Sequence, residues 1–441
     1  MNRNLAFEPV VLHQPAPPTE NQRHVIGLQC EPLEQVRVAF IGLGMRMAHT
    51  LERFVHLENA RIQVLCDIST DRIQKAEEIL ATHNYPKPAT YQGAEDWKRV
   101  CERDDIDLVY ISTHYDLHVP IAVYAMQCGK HAAIEVPAAI TVADSWRLVD
   151  TAEQTRRHCI QLENCNYGAF EMSTLQMIRN GLLGELVHLE GAYIHDLKEL
   201  LFDEKGYWNM WRLRYHEQKN GNLYPTHGLG PLCHALDIHR TDQLHYLVSM
   251  SSNQFNLKQY ASERFGEGSE YAQRQYVNGD MNNTLIRTRK GKTILLQHDI
   301  TSPRPYSRIH MISGTRGMVR KWPTPKITLS PDTQSFFTDE EMERLLQENE
   351  HPIRKKLQPL IDALGKKAPS IAKNEGMDYI MDYRLIHCLR HGLPLDMDVY
   401  DAAEWSCIIE LSEWSVNHYS APVAIPDFTR GQQAPRLEYA Q

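Results

Sequence analysis

The sequence predicts an α/β protein in which an N-terminal doubly wound parallel sheet of Rossmann type is followed by a second α/β domain with a large, open, mostly antiparallel sheet. Three observations carry this. Short apolar runs of strand length alternate with helix-period stretches from residue 36 to about 165. A glycine turn follows the first of those runs directly. Beyond residue 165, longer β-rich stretches joined by tight turns such as Lys290-Gly291 replace the alternation.

The elements follow in order. In "QVRVAFIGLGMRMAHTLERFV", the run Val36 to Ile41 reads as a strand, the two glycines as a tight turn, and Met47, Leu51 and Phe54 as the apolar stripe of a helix. "ARIQVLCD" is a second strand ending at Asp67, and "STDRIQKAEEILATH" opens with helix-start residues. "DIDLVYIST", the helix "HVPIAVYAMQCGK" closed by Gly129, and "HAAIEVP" continue the pattern, which right-handed crossovers turn into a parallel sheet. "LVHLEGAYIHD", "NNTLIRTRKGKTILLQHDI" and "SRIHMISGTRGMVRKW" are the strands expected of the second sheet. "TDEEMERLLQENEHPIRKKLQPLIDALGKK" reads as a solvated helical surface. "VYDAAEWSCIIELSEWSV" is a helix that puts Trp405, Ile408 and Ile409 on one face and packs back on the body. The expected organisation is a flexible lead-in over 1–35 containing "PAPPTENQ", a nucleotide-binding domain over 36–165, and a substrate domain over 166–441.

Composition narrows the function. The chain has 441 residues, a formal charge of −9, 23% charged and 42% apolar residues, and no apolar run long enough to cross a bilayer. It carries no clustered Lys/Arg stripe, which argues against nucleic acid and for a small neutral ligand. Nine scattered cysteines, none in a C-x-x-C pair, signal neither a metal nor a disulfide framework and read as small buried hydrophobes. No secretory leader is visible at the start, so a cytoplasmic protein is expected, with an exported chain whose leader was removed as the alternative.

Gly42-Leu43-Gly44-Met45-Arg46-Met47 matches the dinucleotide fingerprint G-x-G-x-x-G except at its last position. The strand before it and the helix after it aim backbone N–H groups and a helix dipole at a pyrophosphate, and Gly44 admits a close backbone approach. Gly42, Gly44, Met45 and Arg46 are therefore the candidate contacts, with Arg46 on the pyrophosphate. Asp67, at the end of the next strand, suits the ribose hydroxyls and would repel a 2′-phosphate, so NAD is expected over NADP. Met47 stands where close packing normally wants glycine and must push the helix outward or turn away.

"RVAFIGLG", "YISTHYDLHVPIAVYAMQCGKHAAIEVP" and the β-rich second half resemble the Gfo/Idh/MocA-type sugar oxidoreductases. Many of those carry E-K-P, whose lysine takes the substrate hydroxyl proton, and a later G-x-x-x-x-D-x-x-x-H. This chain has Glu135-Val136-Pro137, and in "GNLYPTHGLG", counted from Gly221, Thr226 and Gly230 stand at the Asp and His positions. The set "EVP", "LENCNYG", "GAYIHD", "WRLRYH", "NGNLYPTHGLGP" and "SPRPYSR" is similar to glycoside hydrolase family 109, the NAD-dependent α-N-acetylgalactosaminidases, with a likeness spanning most of residues 36–420.

The resemblance implies a retaining, redox-neutral cycle. The sugar C3 hydroxyl is oxidised, the acidified C2 proton is removed, the aglycone is eliminated, water adds at C1, and the hydride returns. It gives Tyr193 the role of C2 base, oriented by His195, and makes His227 the partner of the C3 hydroxyl in place of the absent lysine. Arg212, Tyr224 and Tyr306 would bind substrate. Tyr115, His118, Glu135, Val136 and Asn164 would lie at the cofactor, Asn164 and Glu163 at the carboxyl end of a strand. Taken without the resemblance, Tyr193 and His195 are the half-buried face of an edge strand, and His227 is a loop histidine capping the helix after it. The expected partner is a glycoconjugate with terminal α-linked N-acetylgalactosamine, and a homo-oligomer is compatible with the chain. The competing readings are a net NAD-linked sugar dehydrogenase and a non-catalytic nucleotide sensor.

Overall fold

The structure is a computed structural model that describes residues 8–14 and 17–434. Residues 1–7 and 15–16 of the lead-in, and 435–441, lie outside the described residues. The first sheet is built from β1 (Val36–Ile41), β2 (Ala60–Asp67), β3 (Ala89–Gln92), β4 (Leu108–Ile111), β5 (His131–Ile134) and β6 (Cys159–Gln161) in the order β3-β2-β1-β4-β5-β6, with every pairing parallel. Helices α1 (Met47–Val55), α2 (Thr70–Thr82), α3 (Asp96–Cys101), α4 (Tyr115–Gln127) and α5 (Val142–Thr155) make the crossovers. Helix cover on both faces explains why β4 and β5 are buried at every position and read as unbroken apolar runs.

The second sheet comprises β7 (Leu186–Ile194), β8 (Leu244–Ser251), β9 (Asn282–Thr288), β10 (Thr293–Asp299), β11 (Met311–Gly314), β12 (Gly317–Arg320), β13 (Lys326–Leu329) and β14 (Val423–Ala424), in the order β13-β12-β11-β7-β10-β9-β8-β14. Its pairings are antiparallel except β7 with β10, where Tyr193 stands opposite His298 in a parallel register. Strict alternation of buried and exposed residues along β9 is the mark of a sheet with one face on the core and one toward solvent.

The charged C-terminal stretch forms two helices, Asp339–Glu348 and Pro352–Gly365, which sink Met342, Ile353, Leu357 and Ile361 into the core, rest Leu345, Leu346 and Leu364 against it and turn most of their charged residues to solvent. The helix Val399–Asn417 does more than present one apolar face. Wedged between α5 and β8, it is buried almost all round, with Trp405 fully enclosed.

The lead-in, expected to be flexible, is docked wherever it is described beyond residue 20. Val25 and Leu28 are buried, and Gln22 donates to Asp150 and Glu153 of α5. The Val25 N–H donates to Tyr400 Oη (2.9 Å), which itself donates to Glu153 (2.6 Å). Apolar residues spaced along a polar segment supply the reason, since they find a seam between α5 and the last long helix. Tyr400→Phe removes both bonds from a buried position and should lower stability by about 1–3 kcal/mol, measured as an earlier urea-unfolding midpoint.

Candidate active site

The glycine turn lies at the carboxyl end of β1. Gly42 adopts φ +88°, and a Cβ there would sit 2.5 Å from the Ser112 carbonyl oxygen, so only glycine fits. Gly44 faces open space, with Arg72 Nη1 at 4.0 Å the nearest atom to a would-be Cβ. No side chain caps the N-terminus of α1, and beyond the Met47 N–H, which donates to the Gly44 carbonyl (3.0 Å), its first turn is open to an anionic ligand. Met47 resolves its conflict by turning into the core, where it is 1% exposed. The Asp67 carboxylate accepts the N–H of Leu43 (2.6 Å) and of Ser69 (2.8 Å), which fixes it against the turn. A cavity of about 950 Å³, open mouth included, runs past Gly44, Met45, Asp67 and Thr113 and is roofed by Tyr207, Trp208 and Trp211 of the second domain. The uncapped helix, the open face at Gly44 and the carboxylate at the end of β2 fit a dinucleotide.

Arg46, the residue expected on the pyrophosphate, lines the cavity and is held from behind by two acids. Its guanidinium is paired with Glu135 (3.2 Å) and with Asp378 of the helix Met377–His391 (2.8 Å). Asn164 donates to the same Asp378 (2.9 Å), and the Tyr110 hydroxyl donates to Glu135 (3.3 Å). Burial raises the Asp378 carboxyl, but Arg46 and Arg53 overcome it and hold the group well below the usual range. His118 stands behind the cavity wall. It is 1% exposed, and its ring nitrogens lie 2.8 Å from the Pro137 carbonyl oxygen and 3.1 Å from that of Thr113. It braces the Glu135-Val136-Pro137 corner, in which Val136 is buried.

The second half of the site forms where β6 meets the helix Thr226–Ala235. His227 belongs to the first turn of that helix, not to a loop, and packing fixes it. A Cβ on Gly228 would meet the Ala192 nitrogen of β7 at 2.5 Å, and one on Gly230 would meet Glu163 Cγ at 2.9 Å. The two glycines therefore let the helix press against both β7 and the end of β6. His227 Nδ1 lies 2.8 and 3.0 Å from the two oxygens of Glu163, a carboxylate with no exposed surface. Burial pushes the Glu163 carboxyl up, and His227 with the Cys165 N–H more than reverses it. The bond commits Nδ1 to Glu163 and leaves Nε2 as the ring nitrogen available to a substrate. Cys165 completes a trio whose ligand-type atoms lie within 4.8 Å of one another, but with Nδ1 spent on Glu163 it forms a hydrogen-bonded dyad beside a thiol that burial pushes up.

Tyr193 sits at the centre. Its ring centroid lies 4.5 Å from Tyr224, 5.5 Å from His227, 6.2 Å from His195 and 6.3 Å from Tyr306, and the last two are 5.1 Å apart. Arg212 is no surface ion pair. Its guanidinium donates to the hydroxyls of Tyr207 (2.6 Å) and Tyr115 (2.7 Å) and lies 4.8 Å from the ring centroids of Tyr207 and Tyr224. Burial raises the Tyr193 phenol well above its ordinary value, with Arg212 pulling against it. His195 is pushed down by burial, with Asp196 raising it and Arg212 lowering it.

The structure thus brings Tyr193, His195, Arg212, Tyr224, His227 and Tyr306 together beside the cavity. Sequence reasoning placed Glu163 at the strand end without its bond to His227, and it missed Asp378, Tyr207 and Trp208. "KGYWNMW", a glycine among aromatics, was a signal for the last two. Asp378, 332 residues from Arg46, carried none.

With this geometry in place, comparison with known proteins is direct. A family model described as "Oxidoreductase family, NAD-binding Rossmann fold" matches residues 36–162, and one described as "Glycosyl hydrolase 109, C-terminal domain" matches residues 167–434. An "Alpha-N-acetylgalactosaminidase" of Bacteroides fragilis is 51% identical over 416 residues, covering 94% of this chain and 96% of that protein. A "Glycosyl hydrolase family 109 protein 2" of Phocaeicola vulgatus is 52% identical over 411 residues, covering 92% and 98%. Among solved structures, a levoglucosan dehydrogenase in complex with NADH and levoglucosan shares the fold, with a TM-score of 0.65 at 17% identity over 89% of this chain and all of that one. A Rossmann half with its glycine turn and strand-end carboxylate, joined to a second domain that matches the family's own over residues 167–434, makes this chain a member of glycosyl hydrolase family 109.

Proposed function

We propose that the protein is a retaining glycosidase that removes terminal α-linked N-acetylgalactosamine from glycoconjugates by a redox-neutral, NAD-dependent cycle. The observation that carries the reading is the Glu163–His227 pair packed against Tyr193 and Tyr224, which Arg212 connects to Tyr207 in the wall of the dinucleotide cavity. None of the residues gathered around Tyr193 pairs two carboxylates across a gap, the arrangement direct glycoside hydrolysis needs. A name borne by a relative at 51% identity points the same way.

NAD⁺ held by the glycine turn and Asp67 supplies a reversible hydride acceptor for the sugar C3. His227 Nε2 takes the C3 hydroxyl proton, and Glu163 stabilises the imidazolium that results. Once C3 is a ketone, the neighbouring C2 proton is acidic enough for a phenolate, and Tyr193 takes it, with Arg212 stabilising the negative oxygen. Elimination of the aglycone, addition of water at C1 from the same face, and return of the C2 proton and the hydride close the cycle with the configuration retained. Tyr224, Tyr306 and His195 line the sugar and keep bulk water out.

Purified protein given p-nitrophenyl α-N-acetylgalactosaminide without added NAD should release pigment with no net NADH. Accumulation of NADH on free sugars would instead identify a dehydrogenase. Substrate deuterated at C2 should yield sugar that has lost label to the solvent; full retention of label removes the elimination step. Tyr193→Phe should lower kcat by about a hundredfold or more while leaving bound NAD unchanged, and wild-type turnover would take Tyr193 out of the base role. Glu163→Gln should cost about 10²- to 10⁴-fold in kcat, since an amide cannot stabilise the imidazolium; an unchanged rate would show that the pair is only structural.

A further inference from the structure

We infer that the segment from Gly206 to Met210 is a catch on the dinucleotide pocket, with Trp208 and Arg72 as its two halves, and that it keeps the cofactor in place from one turnover to the next. This rests on the redox-neutral reading above. The segment belongs to the second domain, between the helices Lys198–Leu201 and Trp211–Gln218, yet Gly206, Tyr207 and Trp208 line the cavity opposite Gly44 and Asp67 of the first. The Trp208 indole is held by the Arg72 guanidinium, 4.8 Å from the ring centroid. Arg72 Nη1 lies 3.9 Å from Asp67 Oδ2, so a continuous chain of contacts joins the roof of the cavity to its floor at the ribose end.

The backbone is shaped for this crossing. A Cβ on Gly206 would meet Leu200 Cδ1 at 2.7 Å and Asp203 Oδ2 at 2.8 Å, so both side chains close in on the turn and would have to swing aside for any other residue. Asn209 (φ +52°) and Met210 (φ +50°) are consecutive non-glycine residues in the left-handed region, a conformation that contacts on either side must hold. One of those contacts is Tyr207, whose hydroxyl accepts from Arg212 at 2.6 Å. The other is Trp208 on Arg72. Trp208 is 39% exposed, so this contact closes the outer side and can part to let a dinucleotide through. A dehydrogenase must exchange its reduced cofactor in every cycle. A redox-neutral enzyme need not, and losing the reduced form midway would strand it on an oxidised sugar.

The test measures cofactor release directly from the purified holoenzyme, by trapping freed NAD with ethanol and an excess of alcohol dehydrogenase. Trp208→Ala and Arg72→Met should each release NAD about tenfold faster than wild type, the ratio that loss of a partly exposed cation–π contact corresponds to. Both should regain hydrolysis of the aryl glycoside when NAD is added. Wild-type release rates in both variants would overturn the proposal. Arg72 lies on the outer helix α2, so if Trp208→Ala fails to fold, Arg72→Met decides alone. Slow release by wild type, fast release by the variants, and no glycoside cleavage by any of them would retain the catch and reject the glycosidase reading.

Discussion

The short bond between His227 and Glu163 is the constraint around which the two halves of the molecule are arranged. A carboxylate with no solvent exposure is expensive to bury, and this one is tolerable only because a ring N–H and the Cys165 N–H both reach it. That requirement sets the distance between the end of β6 and the helix Thr226–Ala235, and Gly230 has no side chain because a Cβ would push the carboxylate away. Once the helix is seated there, Gly228 meets β7 backbone to backbone, and the strand that carries Tyr193 is placed beside the imidazole. One electrostatic demand therefore propagates through two close approaches into the geometry of the whole pocket.

A second set of charges works on the opposite wall. Arg46, Asp378, Glu135 and Asn164 connect the first turn of α1 to a helix more than 300 residues later in the chain, so the cofactor wall is tied to the C-terminal body. Arg53 and Asp382, both buried, extend the network about two turns along α1, and there burial raises the Asp382 carboxyl to about 6 against the pull of Arg53. Buried ion pairs of this kind add little net stability compared with apolar packing, but breaking one side leaves an uncompensated charge, which makes the arrangement hard to slip. The docked lead-in acts in the same sense at the far side, holding α5 against the last long helix through Tyr400.

Much of this was legible in the sequence, and for identifiable reasons. The parallel sheet shows as apolar runs because both of its faces are covered, and Gly42, Gly44 and Asp67 show because a tight turn and a strand end confine them to one chemistry. Tyr193, Tyr224, His227 and Tyr306 were reached through motif likeness, and the structure supplies the contacts that gather them. What stayed hidden were partners distant in the chain. The acids that hold Arg46, Glu135 and Asp378, lie 89 and 332 residues away, and His118 after "THYDL" points to the cofactor until its ring is found between two carbonyl oxygens. The lead-in looked flexible because its proline and polar residues outnumber the few apolar side chains that dock it. Local pattern reports periodicity and turns; it does not report which acids, distant in the chain, a guanidinium will pair with.

The phenol at the centre shows how such a site can stay inert until it is needed. A base strong enough to take a carbon-bound proton would, if always ionised, be a destabilising buried anion. Burial here outweighs Arg212, so Tyr193 is held in its neutral form. Arg212 cannot tip the balance alone, because its two Nη groups are donated to Tyr207 and Tyr115 and its faces are taken by aromatic rings. A further positive charge in the same low-dielectric space would shift that balance strongly, since unscreened Coulomb terms grow as water is excluded. In the proposed cycle the His227 imidazolium, formed 5.5 Å from the Tyr193 ring as the C3 hydroxyl proton is taken, brings that charge, so the base is armed by the same step that makes the C2 proton worth removing. Taking the first proton at His227 and arming Tyr193 to take the second are then two sides of one electrostatic arrangement.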